Sequence, residues 1–139
     1  MGQPTTMPPA PGTHLPREEW NAFMARFTRE NRGAHAELEV LGLDVGHYVP
    51  LEDRPFYGIA ADTKDGEDLV WMMFGQDTED RLTHGIQQVT VIRVRPPVGS
   101  SGAALEVDSK DGARTILELS RPEAYELPPP SNDRGKPKD

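Results

Sequence analysis

The chain has 139 residues, no cysteine and a net charge of −8 at pH 7. Its length fits one domain, and the lack of cysteine excludes disulfides, thiolate metal sites and cysteine nucleophiles. The negative charge disfavours nucleic acid as a partner, because it repels a phosphate backbone. No apolar run has the length of a signal peptide core or a membrane span, so we expect a cytoplasmic protein without membrane contact.

Proline-rich segments at both ends predict tails outside the folded unit. Residues 1–14 contain four prolines and few apolar side chains, and residues 122–139 combine three consecutive prolines with a charged end. Such segments bury too little apolar area to offset the entropy of ordering. We therefore expect one folded domain over residues 15–121, between a disordered and a flexible tail.

The first predicted element is an amphipathic helix that begins near Pro16 and ends near Gly33. Proline suits the first turn of a helix, and glycine suits the left-handed cap. Apolar side chains recur between them at i, i+3, i+4 and i+7, which predicts one apolar stripe. The members of the stripe are Trp20, Phe23, Met24 and Phe27.

After Gly33 the apolar period changes from 3.6 to 2, which predicts strands. The expected strands are residues 34–40, 47–51, 56–63, 69–75, 103–109 and 113–120, with one long or two short strands in 83–95. We expect an α+β fold, in which the helix packs on a twisted, meander-connected antiparallel sheet of about five to seven strands. The pattern leaves open whether this sheet closes into a barrel.

Two near-repeats, Asp62–Gly66 and Asp108–Gly112, place Asp-Gly between apolar runs and predict β-hairpins. A three-residue loop that ends in glycine at positive φ gathers the apolar residues of the second hairpin on one face. In this register Leu105 pairs with Leu117. We expect Gly66 and Gly112 to occupy equivalent positions in their loops.

The same loop pairs Ile59 with Trp71 in the first hairpin and leaves both faces of its second strand apolar. One face carries Leu69, Trp71 and Met73, and the other carries Val70, Met72 and Phe74. One helix covers only one face. We expect the face of Val70, Met72 and Phe74 to meet a closing sheet, a subunit partner or a ligand, because its exposure would favour aggregation.

The expected ligand or partner contacts are Trp71, Met72, Phe74 and His84. No catalytic residue, metal site or cofactor is assigned, because the chain has no nucleophile elbow, phosphate-binding glycine loop or paired carboxylates at helical spacing. His35-Ala36-Glu37 has the local form of a zinc-deaminase motif, but that chemistry also requires a cysteine pair. A structural histidine at a strand end is the expected role of His84.

Acidic side chains concentrate in residues 34–80, which hold twelve of them against Arg54 and Lys64. This segment is either a solvated surface or an acidic face that docks a basic partner or a cation. Three carboxylates of the first hairpin turn are candidates for a weak cation contact, although a charged hairpin tip explains them equally. They are Asp62, Asp65 and Asp68.

Three motifs resemble a small bacterial family that is catalogued only as a domain of unknown function. They are Leu15-Pro16-x-x-x-Trp20-x-x-Phe23, Gly58-Ile59-x-x-Asp62-x-Lys64-Asp65-Gly66-Glu67-Asp68 and Leu82-Thr83-His84-x-Ile86. The resemblance covers roughly residues 15–120 and implies an independently folding bacterial domain. It implies no catalytic or binding residues.

The preferred function is a non-enzymatic binding or protein-interaction module in a bacterial cytoplasm, with a protein or a second copy of the chain as partner. The alternative is a small-ligand or weak hydrolase-like domain with a pocket between helix and sheet, near Trp20, Trp71 and His84. A concave apolar cavity with convergent polar groups would favour the alternative. A flat exposed apolar patch would favour the interaction module.

Overall fold

The computed structural model describes residues 13–42, 46–77, 79–95 and 102–120, except for the side chain of Asp65. These ranges form eight antiparallel strands and one α-helix, α1, at Trp20–Asn31, which follows a 3₁₀ turn at Arg17–Glu19. The strands are β1 Thr13–His14, β2 His35–Gly42, β3 Gly46–Asp62, β4 Leu69–Phe74, β5 Leu82–Ile86, β6 Val89–Arg95, β7 Ala103–Ser109 and β8 Arg114–Ser120.

Part of the predicted domain organisation falls on residues outside the described ranges. This applies to residues 1–12 and 122–139 of the predicted tails, and to residue 121 at the end of the predicted domain. Thr13 and His14 belong to the predicted tail but form β1, because they pair with Val94 and Arg93 of β6.

The sheet order is β1-β6-β7-β8-β2-β3-β4-β5. Strands β2 to β5 and β6 to β8 form two meanders, which the pairing of β8 with β2 joins. Only Gln87 and Gln88 connect β5, at one edge of the sheet, to β6, which is next to the other edge. Because such a link spans about 10 Å, the sheet must curve until its two ends come close.

The predicted helix and antiparallel sheet are confirmed, but the strand count and the simple meander are wrong. The short β1 adds an edge strand, and Gln88, at a φ of +53°, divides residues 83–95 into β5 and β6. Two predicted strands merge into the 17-residue β3. The sheet is curved but open, since β1 and β5 do not pair within the described ranges.

The predicted apolar stripe of α1 is buried, as the i, i+3, i+4, i+7 spacing requires. Trp20 is 2% exposed, and its Nε1–H donates to the Leu15 carbonyl at 3.1 Å. The helix packs chiefly on β3, where the rings of Phe27 and Phe56 meet edge to face at 5.8 Å. The helix ends before Gly33, which has a φ of +90°.

One core contains the helix stripe together with side chains from both halves of the curved sheet. Its strand members are Ala36, Leu38, Leu51, Phe56, Ile59, Val70, Met72, Phe74, Ile86, Val89, Ile92, Leu105, Val107, Leu117 and Leu119. The concave face of the sheet therefore surrounds the helix stripe, and the convex face lies outside this core.

The register of the second hairpin is confirmed, whereas that of the first differs from the prediction by one residue between Gly58 and Asp62. Leu105 pairs with Leu117 around a three-residue loop, and Gly112 has a φ of +92°. Gly66 also has positive φ, at +75°, but it ends a 3₁₀ turn within a six-residue connection between β3 and β4. Trp71 consequently pairs with Ala60 instead of Ile59.

Candidate functional site

Strand β4 separates an interior apolar face from an exterior one. Val70, Met72 and Phe74 are 0% exposed and belong to the core, whereas Trp71 is 40% exposed. Met72 and Phe74 were expected to be surface contacts, but the curved sheet and the helix enclose them. The apolar face that remains uncovered is therefore the face of Trp71, not the face of Met72.

The ring of Trp71 lies over a glycine of the neighbouring edge strand. Trp71 pairs with Gly85 of β5, and a Cβ at Gly85 would lie 2.9 Å from Cζ3 of the ring. The missing side chain thus provides the space that the ring occupies. We define the Trp71 surface as Ala60, Leu69, Trp71, Met73 and Gly85, which share the convex face by strand register. Leu69 and Met73 are half-buried.

His84 lies on the concave side of β5, opposite Met72. Together with Leu38, Leu51 and Phe74 it borders a small cavity of about 170 Å³. Burial lowers the pKa of His84, so the imidazole is neutral at pH 7. The four predicted contact residues therefore do not form one surface: Trp71 points outward, while Phe74 and His84 border this cavity.

A larger cavity, of about 420 Å³, lies between α1 and β3. Met24, Thr28 and Ile59 contribute to its wall, but Trp20, Trp71 and His84 do not. Among the described residues of its wall, Arg29 alone is charged. The alternative prediction of a pocket between helix and sheet thus has a matching cavity, but the residues expected there do not converge on it.

Of the three candidate carboxylates in the first hairpin turn, Asp62 and Asp68 bind groups of this chain, and the side chain of Asp65 lies outside the description. Asp68 forms an ion pair with Arg17 at 2.7 Å, and the same guanidinium donates to the Thr63 carbonyl at 3.1 Å. Asp62 accepts the Lys64 N–H at 3.1 Å and pairs with Leu69 across the strands, so it does not face Asp68 as the predicted register required. Within the described ranges no group of three potential ligands that could hold a metal ion is found.

Sequence reasoning missed a cluster of two arginines and a tyrosine. The guanidinium carbon of Arg81 lies 3.6 Å from the centre of the Tyr57 ring, and that of Arg32 lies 4.3 Å from it. These residues come from the connection before β5, the end of α1 and a bulge in β3. No local motif indicates this cluster, because only the packing of three separate elements creates it.

The arginines of β6 form ion pairs with the adjacent strand on the convex face. Arg93 contacts Asp108 of β7 at 3.0 Å, and Arg114 of β8 contacts Glu106 at 2.6 Å and Asp108 at 2.8 Å. Burial alone would raise the pKa of Asp108, but hydrogen bonds from Arg114 and Arg93 hold it below its ordinary value. Both carboxylates of this network already pair with arginines of the same chain, so we assign it to stability.

The described residues thus define a β-rich domain in which an open, curved antiparallel sheet surrounds one face of a short helix. The chain belongs to a family of unknown function (DUF5335), whose sequence profile matches residues 12–128. An uncharacterized protein of Aquifex aeolicus (strain VF5) is 26% identical over 105 residues, which is 76% of this chain and 88% of that protein. No solved structure is significantly similar. No helix in the described ranges is long and apolar enough to cross a membrane.

Proposed function

We propose that this domain is a non-enzymatic protein-interaction module of the bacterial cytoplasm, and that it contacts its partner through the Trp71 surface. The proposal rests on the 40% exposure of Trp71 within a strand face whose other large side chains are only half covered. Aromatic side chains supply much of the binding energy at protein interfaces. An exposed apolar face beside a sheet edge favours association with another chain.

The surrounding charge favours a basic partner. Asp62 at the end of β3 and Glu67 in the following connection precede β4, and Asp77 and Glu79 follow it. A second copy would bring like charges together, since each chain carries −8. The partner segment that fits this surface has an apolar side chain for Trp71 and lysine or arginine on both sides of it.

The small-ligand alternative has weaker support. The cavity between α1 and β3 is large enough for a ligand, but the described part of its wall has a single charged side chain, that of Arg29. The Thr28 hydroxyl in that wall is already hydrogen-bonded to the main chain of Ile59. This arrangement does not provide the acid and base that hydrolysis requires.

Binding of synthetic peptides tests the interaction proposal. The panel contains peptides with varied apolar centres between lysines, the same centres between glutamates, and lysine peptides with a serine centre. Calorimetry should detect saturable binding only for the lysine-flanked apolar peptides. Acrylamide should quench Trp71 less in the complex, whereas Trp20, at 2% exposure, should contribute little to the quenching.

A matched pair of variants distinguishes specific binding at the Trp71 surface from non-specific binding to exposed aromatic side chains. Trp71→Ser should abolish peptide binding, while Tyr48→Ser removes an aromatic side chain that is 45% exposed elsewhere and should leave binding intact. Failure of every peptide to bind, or equal binding by Trp71→Ser, would overturn the proposal. If the wild type sediments as a dimer and Trp71→Ser sediments as a monomer, the partner at this surface is a second copy of the chain and not a basic segment.

A further inference from the structure

The cluster of Arg32, Tyr57 and Arg81 holds two positive charges on one aromatic ring. Stacking on the ring fixes both guanidinium groups, at 4.3 Å and 3.6 Å from the ring centre. A guanidinium that stacks on a ring can still donate from the N–H groups in its own plane, and it loses little entropy on binding an acceptor. The cluster is therefore a preorganised pair of donors.

Neither arginine has a carboxylate partner in the part of the chain that the structure describes. The arginine ion pairs found among the described residues involve other arginines, namely Arg17, Arg26, Arg93, Arg95 and Arg114. The carboxylate of Asp80, the residue before Arg81, is instead held by the N–H groups of Gln76 and Asp77, at 3.2 Å and 3.0 Å. The Asp80 carboxylate is thus bound within its own turn and does not pair with the arginines of the cluster.

Two nitrogens in the cluster are buried without a hydrogen-bond acceptor. They are Nη1 of Arg32 and Nε of Arg81. Buried donors on charged groups are nearly always paired in folded proteins, because an unpaired donor loses its hydration and gains nothing in return. The unpaired donors and the missing counter-charge are separate observations, and an anion would resolve both.

We propose that Arg32, Tyr57 and Arg81 form a binding site for a small oxyanion, which is a carboxylate or a phosphate. Both anions present oxygens at the spacing of a guanidinium edge, and the Tyr57 hydroxyl adds a further donor. The ligand is small because the surrounding chain is strongly acidic and repels extended polyanions. This site goes beyond the Trp71 surface and does not depend on it.

Titration of Tyr57 provides a direct readout. Hydrogen bonding from Arg32, followed by the charges of both arginines, lowers the pKa of Tyr57 below its ordinary value. An anion that neutralises these guanidinium groups should raise the pKa again. Phenolate absorbance of the full chain is measured with increasing inorganic phosphate or acetate, against chloride at equal ionic strength, and Tyr57→Phe identifies the Tyr57 contribution.

Arginine variants decide whether the effect arises at this site. Arg32→Gln and Arg81→Gln should each weaken anion binding in calorimetry by about tenfold or more. Arg26→Gln is the matched control, since Arg26 also stacks on a ring, that of Phe23, but has Glu30 as an ion-pair partner at 3.9 Å. Arg81→Lys retains the charge and should still lose most of the affinity for the anion. This variant keeps the test valid if Arg81→Gln does not fold.

Each outcome has a defined consequence. A saturable shift with phosphate alone assigns a phosphate ligand, and a shift with acetate alone assigns a carboxylate. The proposal is overturned if neither anion shifts the Tyr57 titration beyond the chloride control. It is also overturned if both arginine variants bind the anion as tightly as Arg26→Gln does.

Discussion

The Thr28 hydroxyl of α1 binds both main-chain groups of Ile59 in β3. It accepts the Ile59 N–H at 3.0 Å and donates to the Ile59 carbonyl at 3.1 Å. Beyond Pro55, β3 no longer pairs with β2, so its second edge would be open. The Thr28 side chain makes the hydrogen bonds that a neighbouring strand would otherwise make at this edge. The helix thereby prevents this edge from pairing with a strand of another chain.

Replacement of Thr28 by valine should therefore destabilise the domain by about 1–3 kcal/mol, because the buried N–H of Ile59 would lose its acceptor. Valine has nearly the shape of threonine, so packing is little changed. Thr28→Ser retains the hydroxyl and should cost less. Urea denaturation of the three proteins tests this, and equal stability of the valine and serine variants would contradict the proposed role of the hydroxyl.

The second hairpin allows backbone strain to be measured without a steric clash. Gly112 has a φ of +92°, and nothing lies within 4 Å of the Cβ that a substitution would add. Gly112→Val should lose about 1–3 kcal/mol of stability, because a β-branched residue resists positive φ. Gly112→Asn should lose less, since asparagine tolerates this conformation. Equal losses, measured by thermal unfolding, would show that φ is not the cause.

The two Asp-Gly turns show where local sequence is sufficient and where it is not. The second hairpin closes within its own turn, since Asp111 accepts the Ala113 N–H at 3.0 Å, and its register is predictable. The first turn is held by Arg17, which lies 51 residues before its partner Asp68. Between Gly58 and Asp62 the pairing differs by one residue from the predicted register, up to the bulge near Tyr57. Neither the contact with Arg17 nor this bulge is visible in the local pattern.

The candidate site was harder to predict than the fold, for a physical reason. Trp71 was singled out because both faces of its strand are apolar, but alternation alone does not indicate which face a curved sheet buries. The pattern left open whether the face of Met72 meets a closing sheet, a subunit partner or a ligand, and in the structure Met72 lies in the core. The cluster around Tyr57 was missed entirely, because stacking of two arginines on one ring depends on tertiary packing.

The two tryptophans offer a matched test of the core. Trp20 is 2% exposed and donates to the Leu15 carbonyl, so Trp20→Ala should lose about 3–5 kcal/mol in urea denaturation. Trp71 is 40% exposed, and Trp71→Ala should cost much less. Similar losses for both variants would mean that the Trp71 surface is part of the core and would also weaken the proposed interaction role.

On the convex face, Glu118 lies close to other glutamates of like charge. It lies directly opposite Glu37 of β2. Burial, followed by the charges of Glu39 and Glu37, raises the pKa of Glu118 above its ordinary value. A raised folded-state pKa means that protonated Glu118 favours the fold, and that this contribution is lost as the pH rises through the folded pKa.

Glu118→Gln should therefore stabilise the domain at pH 7, by roughly 0.2–1 kcal/mol, because it removes one of two like charges that face each other across the strands. The gain should vanish below about pH 4, where glutamate is protonated even in the unfolded chain. Glu67→Gln, which removes an exposed carboxylate from the turn before β4, controls for the change in net charge. Thermal unfolding at pH 3.5 and pH 7 tests the sign, and a gain that is equal at both pH values would contradict the charge conflict as its origin.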